Sequence, residues 1–226
     1  RDTTKHKSPW LIWRNDAVLT QKSALELIDA KVKVCTRCTD LCESRRQTVF
    51  GEGSPSADVV FIGEGPGENE DKTGRPFVGD AGNFLNKIIS ACGWQREDVY
   101  IMNVVRCRPP GNRVPTQEEA DNCKPFLKLQ LRVIQPKVII CLGATASKHI
   151  LGFDARMSSY RGEWYDYKDG PVDAKVRCTY HPSYILHIPA EETERKKEAK
   201  DMIWADMQAV IKELKCPSQP SPSSAT

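Results

Sequence analysis

The sequence has no apolar run approaching the length of a membrane-crossing helix, and no apolar core of a secretory signal. It has no marked excess of charge of one sign either: 33 Lys and Arg against 30 Asp and Glu leave a formal net charge of +3. That excludes a polybasic nucleic-acid binder, so contact with a polyanion has to come from local patches. Two phosphate-binding signatures are also missing. "GEGPGENEDKTGRPFVG", residues 63–79, follows an apolar run as a phosphate loop does. Glu68, however, stands where the dinucleotide fingerprint needs its third glycine, and Lys72-Thr73 follows Asp71 rather than the glycine of a Walker loop. Glu64, Glu68, Glu70 and Asp71 make the loop acidic, which repels anions. What remains for its glycines, Gly65 among them, is sharp turning and close approach of backbone to a flat ligand. A plain surface loop is the alternative.

What the sequence does have is a body long enough for one buried core, 226 residues with 39% hydrophobic content, and nine cysteines. An odd cysteine count without a secretion signal argues against a disulfide framework and for a metal site in a reducing compartment. Cys35-x-x-Cys38 lies ahead of the first strong strand, Cys107 follows a later one, and Cys123 comes 16 residues after it within a helix. A C-x-x-C pair and two further thiolates suit structural zinc or a [4Fe-4S] cluster; zinc ribbons present two tight pairs, so the spread second pair favours the cluster. Cys42 is a possible fifth donor. Cys92, Cys141 and Cys178 fall on apolar faces or strands and read as core. Ordinary buried cysteines are the alternative for the others too.

Along the chain, residues 1–25 read as an N-terminal arm of uncertain order, 26–215 as the domain, and the Pro/Ser-rich 216–226 as a disordered tail. Opening on Arg1 rather than Met suggests a trimmed chain. "KSALELIDAKVKVC" reads as a short helix. "ADVVFIG", "DVYIMNVV", "PKVIICLG", "RGEWYDY" and "AKVRCTYHP" read as strands. Between and after them lie helical patterns: "DAGNFLNKIISACG" with Asp80 as cap, "PTQEEADNCKPFLKLQLRVIQ" opened by the capping box Thr116-x-x-Glu119, "ATASKHILG", and a long C-terminal helix. The fold class is therefore α/β, a central mostly parallel sheet covered by helices on both faces. Ligands of such sheets bind at the carboxyl ends of strands. Three loops fall at such ends: 63–79, 103–110 and 181–189.

"CTRC", the 63–79 loop, "NVVRCRPPGNRVPTQEEADNC", "PKVIICLGATA" and "HPS" share the order and spacing of one family. Over roughly residues 30 to 214 the sequence resembles the iron-sulfur uracil-DNA glycosylases, family 4 of the uracil-DNA glycosylase superfamily. The resemblance implies an α/β/α sandwich, a [4Fe-4S] cluster, and hydrolysis of the N-glycosidic bond of deoxyuridine in base-excision repair. By the same resemblance, Cys35, Cys38, Cys107 and Cys123 hold the cluster, and Phe77 stacks on an extruded base. Asn103 reads the uracil edge and His181 sits near uracil O2. Glu70 matches a carboxylate near the base and Glu64 the polar residue of the superfamily's first motif, and either of them could position water or stabilise the sugar cation. The implied partner is uracil-containing DNA, single- or double-stranded, with no membrane; a monomer is expected, located in the cytoplasm or at the nucleoid.

"HPSYILHIP" resembles the loop that enters the minor groove, which makes Tyr184, Ile185 and Leu186 a candidate wedge. His187 stands where family members often carry arginine, and a histidine there would make DNA binding sensitive to pH. Arg75, Arg106, Arg108, Arg113 and Lys148 are the local basic candidates for phosphate. The "EGPG" loop lacks the aspartate that some uracil glycosylases use to activate water. "RCRPPGNRVP" is short and lacks histidine, which argues against covalent trapping of the sugar as in a related branch. Two other functions stay open: a glycosylase of the same fold for another deaminated base, and a non-catalytic DNA-binding or replication-associated module.

Overall fold

The computed structural model of the protein describes residues 19–215; the expectations for the tail and for most of the arm lie outside the described residues. The chain opens on α1 (Gln21–Lys33) and a short α2 (Thr39–Ser44), then β1 (Glu52–Gly53) and β2 (Val59–Gly63). Next come α3 (Glu68–Thr73), α4 (Asp80–Ala91), β3 (Tyr100–Asn103), α5 (Gln117–Ile134), β4 (Val138–Leu142) and α6 (Gly143–Leu151). β5 (Trp164–Asp169), β6 (Val172–Thr179), α7 (Pro182–His187) and α8 (Thr193–Lys215) complete it. The six strands form one sheet in the order β1-β3-β2-β4-β6-β5. The four inner strands run parallel, and β1 and β5 pair antiparallel at the two edges.

The layers follow from period-two alternation along the strands. Val60 and Ile62 of β2 and Ile139 and Cys141 of β4 turn to the face covered by α1, α5 and α6, where they meet Leu25, Leu131 and Ala146. Val59, Phe61, Val138 and Ile140 turn to the other face, against Leu85 and Ile89 of α4 and Met207 and Val210 of α8. Every residue of β2, β3 and β4 is buried, which is why these strands read as continuous apolar runs. Each such aliphatic side chain stabilises the fold by about 1.5–3 kcal/mol. Among the described residues, no helix is long and apolar enough to cross a membrane.

The local signals mostly hold, but the short α2 and the two-residue edge strand β1 were not expected, and other differences follow. Thr116 and Glu119 form the capping box of α5, each side chain bonding the other's backbone N–H. Asp80 is not a cap: Gly79 takes that position, and the Glu70 carboxylate accepts its N–H at 2.9 Å. α1 begins at Gln21, inside the stretch read as an arm, and Leu25 is buried in the core. The 63–79 loop contains a helix, α3, and the 181–189 loop contains another, α7. Both are six residues long, too short for hydrophobic periodicity to reveal them.

Candidate active site

Four parallel strands deliver their carboxyl ends to one edge of the sheet. Gly63, the last residue of β2, pairs in register with Asn103, the last of β3. β4 leads through Leu142 into Gly143, and β6 through Thr179 to His181. A cavity of about 510 Å³ opens there, with Glu64, Gly65, Phe77, Asn103, His181 and His187 in its lining.

Asn103 is only 1% exposed, and among the described residues its buried Oδ1 has no hydrogen-bond partner. A buried acceptor left unpaired costs about 1–3 kcal/mol, so its position in a cavity wall marks a place where a ligand's donor belongs. Phe77 is buried beside it, with a left-handed backbone (φ 51°) that few bulky residues adopt. Its ring centroid lies 5.7 Å from that of His181, tilted by 36°. The close approach is possible because Gly63 lacks a side chain. A Cβ there would stand 2.6 Å from Asn103 Oδ1 and 2.7 Å from Phe77 Cε2. Gly143, with φ 87°, similarly admits the His181 side chain.

His181 caps α7. Its Nδ1 accepts the Ser183 backbone N–H at 3.2 Å and lies 2.7 Å from Ser183 Oγ. A backbone N–H can only donate, so Nδ1 carries the lone pair and Nε2 carries the proton. Burial, reinforced by the nearby His187 and opposed by Glu70, pushes the imidazole down to about 4. The ring is therefore a neutral Nε2–H donor at physiological pH.

The two carboxylates differ in occupation. Glu70 accepts N–H groups from Gly67 (3.1 Å), Val78 (2.8 Å) and Gly79 (2.9 Å), so it ties the start of α3 to the entry of α4. Among the described residues, the Glu64 carboxylate receives a bond only from Thr145 Oγ1, at 2.5 Å. Its remaining lone pairs are open to water in the cavity.

The expected DNA-facing residues are only partly assembled. Ile185 is 1% exposed and packs with Ile188, Ala199 and Ile203, so it belongs to the core and is not available as a wedge. The cause is α7 itself, whose Pro182 and Ile185 lie one turn apart on its inward face. Leu186 and His187 are exposed, while Tyr184 stacks on Tyr180 at 4.7 Å. Most of the basic candidates have other partners as well. Arg75 pairs with Glu52, Arg113 with Glu119, and Lys148 with Asp154, while Arg108 bonds Asn112 Oδ1 and approaches Glu68 at 3.9 Å. Arg106 is fully buried, so it cannot meet phosphate.

The cysteines of three segments come together beneath this edge. Cys38 interacts electrostatically with Cys35 and Cys123, and Cys107 with Cys123 and Cys42. Arg45 donates to Cys107 Sγ at 2.9 Å and to the Cys35 carbonyl at 2.8 Å. Asn122 Nδ2 donates to Cys38 Sγ at 3.6 Å. Among the described residues no three His, Cys, Asp or Glu side chains converge to hold a single metal ion. Thiolates of an iron-sulfur cluster each bind a different iron and stand farther apart than the ligands of one zinc ion. All-thiol donors, N–H groups aimed at sulfur and a cationic surround fit such a cluster. Cys42 Sγ points to the Cys35 carbonyl at 3.5 Å, beside the set. Cys141 and Cys178 are buried core on neighbouring strands, as expected.

Sequence reasoning missed Thr145, Ser183 and Arg45, and took the buried Arg106 for a surface contact to phosphate. Ser183 had a signal, a hydroxyl residue two places after a histidine that precedes proline. The arginines had none, because pattern reading assigns arginine to the surface.

Comparison with known proteins agrees with this geometry. The profile of the Uracil DNA glycosylase superfamily matches residues 50–208. A type-4 uracil-DNA glycosylase of Thermotoga maritima is 47% identical over 177 residues, covering 78% of this chain and 90% of that protein. One from Archaeoglobus fulgidus is 40% identical over 181 residues, again 78% and 90%. One from Sulfurisphaera tokodaii is 43% identical over 171 residues, 74% and 77%. The chain belongs to the uracil-DNA glycosylase superfamily, among the type-4 uracil-DNA glycosylases.

Proposed function

We propose that this protein excises uracil from DNA by hydrolysing the N-glycosidic bond of a deoxyuridine turned out of the base stack into the cavity of Phe77, Asn103 and His181. The observation that carries this reading is the unpaired, buried Oδ1 of Asn103. Uracil N3–H is the donor it lacks, and the amide nitrogen of the same side chain can donate to O4. Cytosine presents an acceptor at N3 and a donor at position 4, so both contacts would fail, at roughly 1–3 kcal/mol each. The names of the relatives support the same substrate.

Each neighbouring residue has a task in this reaction. Flipping the base costs a few kcal/mol. Stacking on Phe77 offsets about 1–3 kcal/mol of that. Cleavage leaves negative charge on uracil O2 and positive charge on the sugar. The neutral His181 donates its Nε2–H to O2, stabilising charge where it develops. Glu64 accepts a proton from, and orients, the attacking water; Glu70 holds the loop that frames the base. Leu186 and His187, exposed on α7, face the strand from which the base is taken. Cys35, Cys38, Cys107 and Cys123 would hold a [4Fe-4S] cluster, which fastens the N-terminal segment to the β3–α5 connection.

The test is uracil release from a single-stranded oligonucleotide with one deoxyuridine, with thymine and cytosine controls. Uracil release alone is expected, and Asn103→Ala should abolish most of it while DNA is still bound. Release of another deaminated base instead, or none with DNA bound, would overturn the reading.

A further inference from the structure

Arg106 is the largest fully buried side chain among the described residues, and it has no carboxylate partner there. Its guanidinium donates to the Asn103 carbonyl, to the Val104 carbonyl at 3.0 Å and to Gln130 Oε1, and it lies 3.7 Å from Met102 Sδ. All of these acceptors are neutral, and Nε finds none. Gln130 is itself fixed, donating to the Phe50 carbonyl and the Tyr100 hydroxyl, both at 3.1 Å. A buried cation without an anion is strongly disfavoured. The ionisable groups near enough to supply negative charge are the thiols of Cys123 and Cys107 and the Tyr100 hydroxyl, and burial pushes that hydroxyl up to about 12, which keeps it neutral. Arg106 precedes Cys107 in the chain, and its backbone N–H lies near the Cys123 thiol. It is thus joined on one side to two of the cysteines and on the other to the backbone of Asn103.

We infer that Arg106 is a positioning residue that couples the cysteine centre to the base-reading asparagine. Iron-bound thiolates supply the anion its buried charge lacks, and the guanidinium fork fixes the Asn103 carbonyl and so the aim of the Asn103 amide. This rests on the proposed reading of Asn103 and of the four cysteines. It makes the centre more than a clasp for the N-terminal segment, because losing it would strand the arginine and release the end of β3.

The test uses protein purified without oxygen, with activity normalised to iron content, and two substitutions that separate charge from geometry. Arg106→Lys keeps the charge and loses the planar fork, so iron release to a chelator should stay within about twofold of wild type. Its kcat/KM for uracil should fall roughly 100-fold, as for a reacting group displaced by an ångström. Arg106→Met loses both, and iron should leave about tenfold faster, as when a partner of a metal ligand is removed. Wild-type iron retention in Arg106→Met, rapid iron loss in Arg106→Lys, or wild-type excision by Arg106→Lys would each overturn the inference. If Arg106→Met does not fold, Arg106→Lys decides alone. An iron-bearing wild type that releases no uracil would refute the functional reading instead, leaving iron release to judge the charge pairing.

Discussion

Replacing Gly63 by alanine adds one methyl group at the point where two walls of the cavity meet. The backbone tolerates it: Gly63 is not among the residues with positive φ, so the cost is purely steric. The new Cβ would stand 2.6 Å from Asn103 Oδ1 and 2.7 Å from Phe77 Cε2. Carbon atoms at rest are about 3.5–4.0 Å apart, so the Phe77 ring must retreat by roughly 1 Å. It has little room, because a Cβ on Gly82 would already strike the Phe77 carbonyl, which shows how tightly α4 closes on that backbone. Overpacking of this kind costs about 1–3 kcal/mol of stability. Misplacing a stacking ring and a reading amide together should cost about 100-fold or more in kcat/KM. The assay is uracil release under single-turnover conditions beside a thermal melt of the same preparation. Excision should fall far more than the modest loss of stability explains. A Gly63→Ala protein that excises uracil at the wild-type rate would show that Phe77 and Asn103 do not form the base pocket together.

Two more perturbations test the division of labour in the site. Glu64→Gln should lower excision by about 10²–10⁴ with little change in melting temperature. Glu70→Ala should instead destabilise the fold by about 1–3 kcal/mol, since three backbone N–H groups lose their acceptor; equal losses of activity at unchanged stability would refute the distinction. Because burial holds His181 at about 4 rather than its ordinary 6.5, kcat/KM should stay level from neutral pH down to about 5 and then fall. The neutral ring's contribution to stability is complete above about 6.5 and is lost as pH falls toward 4, because the unfolded chain takes up the proton first. An acid limb centred near 6.5 that His181→Asn removes would contradict the neutral ring.

The sheet and its main helices were legible because β2, β3 and β4 are buried on both faces and their sequences are apolar throughout. Asn103 and His181 were legible as strand-end residues, and the motifs around them carried the family resemblance. The role of Ile185 was not: whether an isoleucine faces DNA or the core depends on a six-residue helix too short to show a period. The surface reading of Arg106 failed for a related reason. A buried arginine is rare, and only the tertiary arrangement of Asn103, Gln130 and the cysteines makes room for one. Glu64 and Glu70 look alike in sequence and were separated only by counting the donors each one serves.

The pairing of Gly63 with Asn103 has a consequence for how such a protein can diversify. The group proposed to choose the base is the last rung of a parallel ladder, held in register by Gly63 of β2, while β1 on the other side of β3 reaches only Ile101. The residues proposed to face the DNA strand sit on α7, where substitutions at exposed positions leave the ladder intact. Preference for strandedness or flanking sequence can therefore drift through surface changes, while the choice of base stays locked until the sheet itself is rebuilt.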